Sequence, residues 1–178
     1  MREVTVVPHS PRWKKAYREE AKHISAALGD VVDSMQHIGS TAIPGIYAKP
    51  IIDMLVEVTS LEKLDARSPS LEALGYEGLG ENGIPGRRYF RREIDGVRTH
   101  HVHAFLAGAE GVVRHLAFRD YLIAHPARAQ AYSELKREVA ARCNHDINVY
   151  MEGKDAFIKA AEQDALAWAA AGGQTAPL

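Results

Sequence analysis

The chain has 178 residues, 46 % of them hydrophobic, and a formal net charge of −1. That composition excludes a disordered polar chain, and the charge balance excludes a general nucleic-acid coat. One cysteine, Cys143, excludes an internal disulfide framework, and no run approaches the roughly 20 apolar residues of a membrane span. The apolar run at Met1–Pro8 is too short for a signal peptide, so a cytoplasmic protein is expected, as a single domain over 1–178 with its core at about 3–170.

Residues 3–7 read as a short strand or an extended arm. Ser10-Pro11 then gives a helix start, and a stripe of Trp13, Ala16, Tyr17, Ile24 and Leu28 predicts a helix that Gly29 ends. Val31–Ile38 and Pro50–Val58 read as strands. Ser60 opens a helix carrying Leu61, Leu64, Leu71 and Leu74, with an interruption expected near Ser68-Pro69 and a stop at Gly75. Residues 78–86 hold four glycines and Pro85 and read as a mobile loop. Arg87–Ile94 and Val97–Leu106 flank Asp95-Gly96, a favoured two-residue hairpin turn. Helices are expected over about 110–124, from Pro126 to about Arg142, and over about 152–170, followed by a loose tail over 172–178. The order predicts an α+β fold: a mixed sheet covered mainly on one face by helices, with further helices at the C-terminal end.

Three features carry chemistry. Side chains alternate along a strand, so Asp53 lies opposite the apolar face of Ile52, Met54, Val56 and Val58. A carboxylate in such a strand needs a partner, whether Lys49, Arg88 and loop amides in a structural role or a metal in a functional one. In the hairpin, strict two-residue-turn register sets Arg92 against Thr99, Phe90 against His101 and Arg88 against His103. That puts Arg88 on the face of His101 and His103. A His-x-His pair on a strand suits a metal or acid–base work, and it also suits a half-exposed structural face. Gly39, Ser40 and Thr41 end the first strand. They can hold an anion on hydroxyls and N–H groups, or simply cap a turn. Arg119 and Lys136, on the later helices, are candidate phosphate or carboxylate clamps among positions that mostly read as ordinary amphipathic ones, Tyr132, Tyr150 and Lys154 included.

Taken together, His37-Ile-Gly-Ser-Thr-Ala-Ile-Pro-Gly, Ala48-Lys-Pro-Ile-Ile-Asp53, His101-Val-His103, Phe118-Arg-Asp-Tyr-Leu, and Tyr132 with Leu135-Lys136 resemble the GrpB-like family, a branch of the nucleotidyltransferase superfamily. The resemblance covers about residues 3–170. It implies the nucleotidyltransferase fold, with Gly-Ser ending one strand and metal-binding acids on the next. It also implies a nucleotide or another phosphorylated small molecule as ligand, and transferase chemistry where the acids are complete.

Here they are incomplete. Active members of the superfamily carry an acid-apolar-acid triplet, and the first acid falls on Ile51. The later strand offers His101 and His103 in place of a carboxylate. Two-metal phosphoryl transfer needs hard oxygen ligands, so the expectation narrows to one divalent metal held by Asp53, His101 and His103, which are also the candidate catalytic residues. Gly39, Ser40, Thr41, Lys49, Arg88, Arg119 and Lys136 are the candidate ligand contacts. The alternatives are a non-catalytic ligand-sensing or accessory domain, since related domains occur joined to a dephospho-coenzyme A kinase, and a mononuclear metal-dependent hydrolase. A second copy of the chain, in a homodimer, remains open as a partner.

Overall fold

The computed structural model describes residues 4–173, so the end of the expected tail lies outside the described residues, as does the first residue of the expected arm. The chain divides into two compact units. One comprises residues 11–39 and 51–113 and contains the sheet. The other, within the described residues, comprises 4–10, 40–50 and 114–173 and is mainly helical.

In the sheet unit, helix α1 (Arg12–Leu28) is followed by strands β1 (Val32–Ile38) and β2 (Ile52–Val58), then helix α2 (Leu61–Glu72). Three more strands complete the sheet: β3 (Tyr76–Gly78), β4 (Arg88–Ile94) and β5 (Val97–Leu106). The strand order is β1-β2-β5-β4-β3, with β2 and β5 parallel and every other pair antiparallel. This is the expected mixed sheet. Ile52, Met54, Val56 and Val58 of β2 are buried, as are Val102 and Ala104 of β5, together with Ile24 and Leu28 of α1 and Leu64 and Leu71 of α2. Glu20 of α1 is buried as well. It accepts hydrogen bonds from the Tyr76 hydroxyl at 2.9 Å and from Arg92 Nη1 at 3.0 Å. Burial raises the Glu20 carboxyl, but these partners outweigh it and the group is held below its ordinary value.

Three expectations are corrected. Pro69 does not interrupt α2, which runs through it. A proline at position 69 leaves the Asp65 carbonyl, four residues back, without its usual donor, and the Ser68 hydroxyl donates to that carbonyl at 2.8 Å. Strand β3 was not anticipated from the sequence; at three residues it is too short for alternation to show. The loop after it is laced to its own base: Arg87 donates to the Glu81 and Asn82 carbonyls, and Gly86 N–H donates to the Glu81 carboxylate. The third correction concerns register. Asp95 and Gly96 both have positive φ, as the tight turn requires, and Ile94 pairs with Val97 as expected. A bulge between Arg92 and Glu93 then shifts the pairing by one residue, so that Arg92 opposes His100, Arg91 opposes His101, Tyr89 opposes His103 and Arg88 opposes Ala104.

The helical unit contains most of α3 (Glu110–Ala124), with α4 (Pro126–Arg142) and α5 (Ile147–Ala170). The last helix starts earlier than expected because Asp146 caps it, accepting from the N–H groups of Asn148 and Val149. Val7 and Ala48 form an isolated antiparallel bridge in this unit. Ile43, Ile46, Leu122, Ala129 and Tyr132 make one apolar cluster, and Val4, Val139, Cys143 and Tyr150 make a second. Helices α4 and α5 approach closely at Gly153, where an added Cβ would lie 2.6 Å from Val139 Cγ1.

That contact sets a test. Gly153→Ala gains roughly 1 kcal/mol of helix propensity but forces overpacking of about 1–3 kcal/mol against a fully buried valine. Urea denaturation should show a net loss of about 1 kcal/mol. In a Val139→Ala background the same substitution should become neutral or stabilising. Equal effects in both backgrounds would mean that the contact is not the constraint.

Candidate functional site

Parallel pairing of β2 with β5 sets Asp53 directly beside His101 and Leu55 beside His103. The two imidazoles therefore flank the Asp53 carboxylate on one face of the sheet. His101 Nδ1 lies 3.0 Å from Asp53 Oδ1 and His103 Nε2 lies 3.2 Å from the same oxygen. A carboxylate oxygen can only accept, so both ring nitrogens donate to it. Burial alone would raise the Asp53 carboxyl. The two hydrogen bonds, with the charge the rings can carry, hold it well below the usual carboxylate range instead. His101 Nε2 is buried with no hydrogen-bond partner.

Gly39 ends β1 next to this centre. Its φ is +73°, and a Cβ there would lie 2.7 Å from Asp53 Oδ2. Both observations demand glycine, so the glycine of the Gly39-Ser40 motif makes room for the carboxylate. Tyr89, which the sequence reading did not single out, lies on the histidine face. Its ring centroid is 5.5 Å from that of His101 and 5.3 Å from that of His103, and the Arg87 guanidinium lies over it. Burial, and then the charge of Asp53, raise the Tyr89 phenol. Tyr89 was hidden by the bulge, which no local residue pattern announces. Arg88 is displaced for the same reason. It lies on the opposite face of β4 from Tyr89 and donates from Nε and Nη2 to the Asp65 carboxylate at 2.7 and 2.9 Å.

Among the described residues, Asp53, His101 and His103 form the one group of three whose donor atoms converge as metal ligands would, all within 4.8 Å of one another. Two imidazoles and one carboxylate are borderline-to-hard donors of the kind that hold zinc, manganese, iron or nickel. The residues two places either side of Asp53 on its own segment, Ile51 and Leu55, are both apolar, so no second carboxylate adjoins it there.

The remaining predicted residues belong to the helical unit. Ser40 and Thr41 form a short 3-10 turn in which the Ser40 carbonyl accepts from Ile43 N–H, and Thr41 is buried. Arg119 is buried and donates to Asp120 at 2.7 Å. Lys136 is 1 % exposed, and its ammonium lies 4.4 Å from the Tyr132 ring centroid with no hydrogen-bond partner. The Lys49 ammonium lies 5.2 Å from the Tyr150 ring centroid.

Residues 3–164 match the GrpB protein family. The chain belongs to that family. It is 44 % identical over 167 residues to the UPF0157 protein YqkA of Bacillus subtilis, covering 94 % of this chain and 48 % of YqkA, so it spans about half the length of that relative. It is 35 % identical to the glutamate-rich protein GrpB of Alkalihalophilus pseudofirmus, covering 88 % of this chain and 92 % of that protein. The crystal structure of GrpB from Enterococcus faecalis matches with a TM-score of 0.87 at 43 % identity, over 92 % of this chain and 98 % of that one. The Cid1 poly(U) polymerase, solved with MgGTP bound, matches with a TM-score of 0.52 at 16 % identity, over 77 % of this chain and 45 % of Cid1. That likeness shows the nucleotidyltransferase-like fold alone. No helix among the described residues is long and apolar enough to cross a membrane.

The buried lysine gives a pH test. Burial, and secondarily the charge of Lys154, lower the Lys136 ammonium to about 7. Above that pH the folded chain has released a proton that the unfolded chain still binds, so stability rises with pH from about 7 upward, and below about 7 the cost of burying the charge is fully present. Urea denaturation between pH 7 and 9 should show wild type gaining on the order of 1–2 kcal/mol relative to Lys136→Met. Parallel pH profiles for the two proteins would contradict this.

Proposed function

We propose that this protein binds a nucleotide or another phosphorylated small molecule, using one divalent metal ion held by Asp53, His101 and His103. The observation that carries the reading is the convergence of those three donors on one face of the sheet. An ion there supplies charge neutralisation for a phosphate oxygen and polarises what it binds. Asp53 contributes the negative charge, His101 and His103 complete the donor set, and Tyr89 walls the imidazoles. Ser40, Thr41, Lys49, Arg119 and Lys136 belong to the helical unit and are given no part in this centre. Arg88 is left out, because Asp65 already engages its guanidinium.

The apolar neighbours of Asp53 favour one metal over two. Magnesium demands near-octahedral oxygen coordination, which one aspartate and two histidines serve poorly. Equilibrium dialysis of chelator-stripped protein should show one zinc, nickel or manganese ion per chain and much weaker magnesium. Asp53→Ala and His103→Ala should each weaken binding by more than about tenfold, the lower end of what loss of a mere supporting contact costs. Stoichiometric binding unchanged in both variants would refute the assignment.

A second reading, an accessory domain without turnover, has support among the relatives. Dephospho-CoA kinase of Mycolicibacterium paratuberculosis is 28 % identical to this chain over 93 % of its residues but only 47 % of the kinase. Incubation with labelled nucleoside triphosphates and the bound metal separates the two. Turnover that Asp53→Ala abolishes would establish an enzyme. Binding without turnover would favour the accessory role.

A further inference from the structure

The two imidazoles reach the same Asp53 oxygen through different ring atoms, His101 through Nδ1 and His103 through Nε2. The strand pairing explains the difference. His101 stands beside Asp53, so its near nitrogen suffices, while His103 stands beside Leu55 and must use its far one. Each ring therefore has one productive orientation. Turning either by half a revolution about its last side-chain bond puts a carbon where the nitrogen was. A metal-binding histidine is ordinarily held in orientation by a hydrogen bond from its other ring nitrogen. His101 lacks that hold, since its Nε2 is buried with no hydrogen-bond partner among the described residues.

What lies against both rings is Tyr89. Its ring centroid is 5.5 Å from that of His101 and 5.3 Å from that of His103, whereas the two imidazole centroids are 6.3 Å apart. The three rings form a triangle in which the tyrosine is closer to each imidazole than the imidazoles are to each other. Its tilts to them, 58° and 54°, belong to ordinary aromatic pair geometry. Tyr89 is itself fixed. Its N–H donates to the Gly80 carbonyl at 2.8 Å, and its carbonyl accepts from Leu79 N–H at 2.9 Å. The Arg87 guanidinium lies 4.9 Å from its ring centroid and donates to the Glu81 and Asn82 carbonyls at 3.1 and 2.7 Å. Arg87 and Tyr89 are both buried. A continuous line of contacts thus runs from residues 79–87, through Arg87 and Tyr89, to the two imidazoles.

We propose that Tyr89 is a positioning residue. Its ring holds His101 and His103 in the orientation in which they converge on Asp53, and Arg87 holds the Tyr89 ring in turn. For the consequence on metal binding, the inference rests on the proposed ion at Asp53, His101 and His103. The positioning itself is a property of the sheet unit with or without an ion. Arg87 contributes no donor atom to the centre, yet the segment that anchors it sets how well the centre is formed. The work belongs to the ring of Tyr89 and not to its hydroxyl, so phenylalanine should replace it and leucine should not.

The test uses the whole chain with Tyr89→Phe, Tyr89→Leu and Arg87→Met, each shown to be folded by a thermal melt. In chelator-treated protein, carbon-13 relaxation of the histidine rings reads their order directly. His101 and His103 should be as rigid in Tyr89→Phe as in wild type and measurably looser in Tyr89→Leu and Arg87→Met. His23, exposed on α1, serves as the control and should be the same in all four proteins. In equilibrium dialysis with zinc, Tyr89→Leu should bind about tenfold more weakly, the scale of losing an outer-shell support, with Tyr89→Phe unchanged and Arg87→Met weakened in the same direction. A merely structural role would lower the Tm and leave ring order and zinc affinity of the folded chain unmoved. Unchanged ring order in folded Tyr89→Leu would overturn the proposal. So would a Tyr89→Phe that behaves as Tyr89→Leu does, or looser rings with zinc affinity retained. Failure of the metal reading shows separately, as wild type that binds no ion while its imidazoles still loosen in Tyr89→Leu.

Discussion

A carboxylate placed inside an apolar strand, with two imidazoles on the neighbouring strand to keep it ionised, is the constraint on which the sheet unit depends. Asp53 sits between Ile52 and Met54, both buried. Strand alternation turns it to the other face, and the β2–β5 parallel pairing brings His101 and His103 to within 3.2 Å. A one-residue slip between those strands would turn the imidazoles to the apolar face and leave the carboxylate unpaired, at a cost of several kcal/mol. The centre therefore also specifies register. Gly39 belongs to the same constraint, since any side chain there would occupy the space that the Asp53 carboxylate fills.

Most of this was legible in the sequence wherever one residue type answers to one local rule. Alternation gave the face of Asp53, the i, i+2 spacing gave the shared face of His101 and His103, and Asp95-Gly96 gave the turn between β4 and β5. The sheet was read as mixed from element order, and the five-stranded order agrees. What was not legible depended on chain outside the local window. The bulge at Arg92 and Glu93 exchanged Tyr89 for Phe90 and moved Arg88 to the other face, because a two-residue turn fixes register only until the first bulge. Strand β3 exists because β4 pairs with it, and its three residues carry too little pattern. Pro69 is the exception, since its compensation is local: the immediate neighbour Ser68 donates to the Asp65 carbonyl that the proline, having no N–H, leaves without a donor.

Family membership and site chemistry answer different questions here. The match over residues 3–164 and the solved Enterococcus faecalis relative settle what kind of chain this is. The Cid1 likeness, at 16 % identity, extends to the fold and no further. What this chain places on the sheet is set by its own residues: adjacent strands deliver side chains to one face, so with isoleucine at position 51 and imidazoles at 101 and 103 that face carries one carboxylate beside two rings.

The two charged centres differ in what satisfies them, and that difference decides how each should be read. Asp53 has hydrogen-bond donors of its own, so its burial is explained whether or not an ion ever binds, and the metal reading must rest on convergence of donors. Lys136 has the Tyr132 ring against its ammonium and no hydrogen-bond partner, and burial lowers its pKa to about 7. Its burial is therefore eased by release of a proton rather than by an opposite charge. A buried ion with internal donors keeps its charge as the pH moves; a buried lysine without an acceptor gives its charge up within the neutral range, and the two centres respond to pH in opposite ways for that reason.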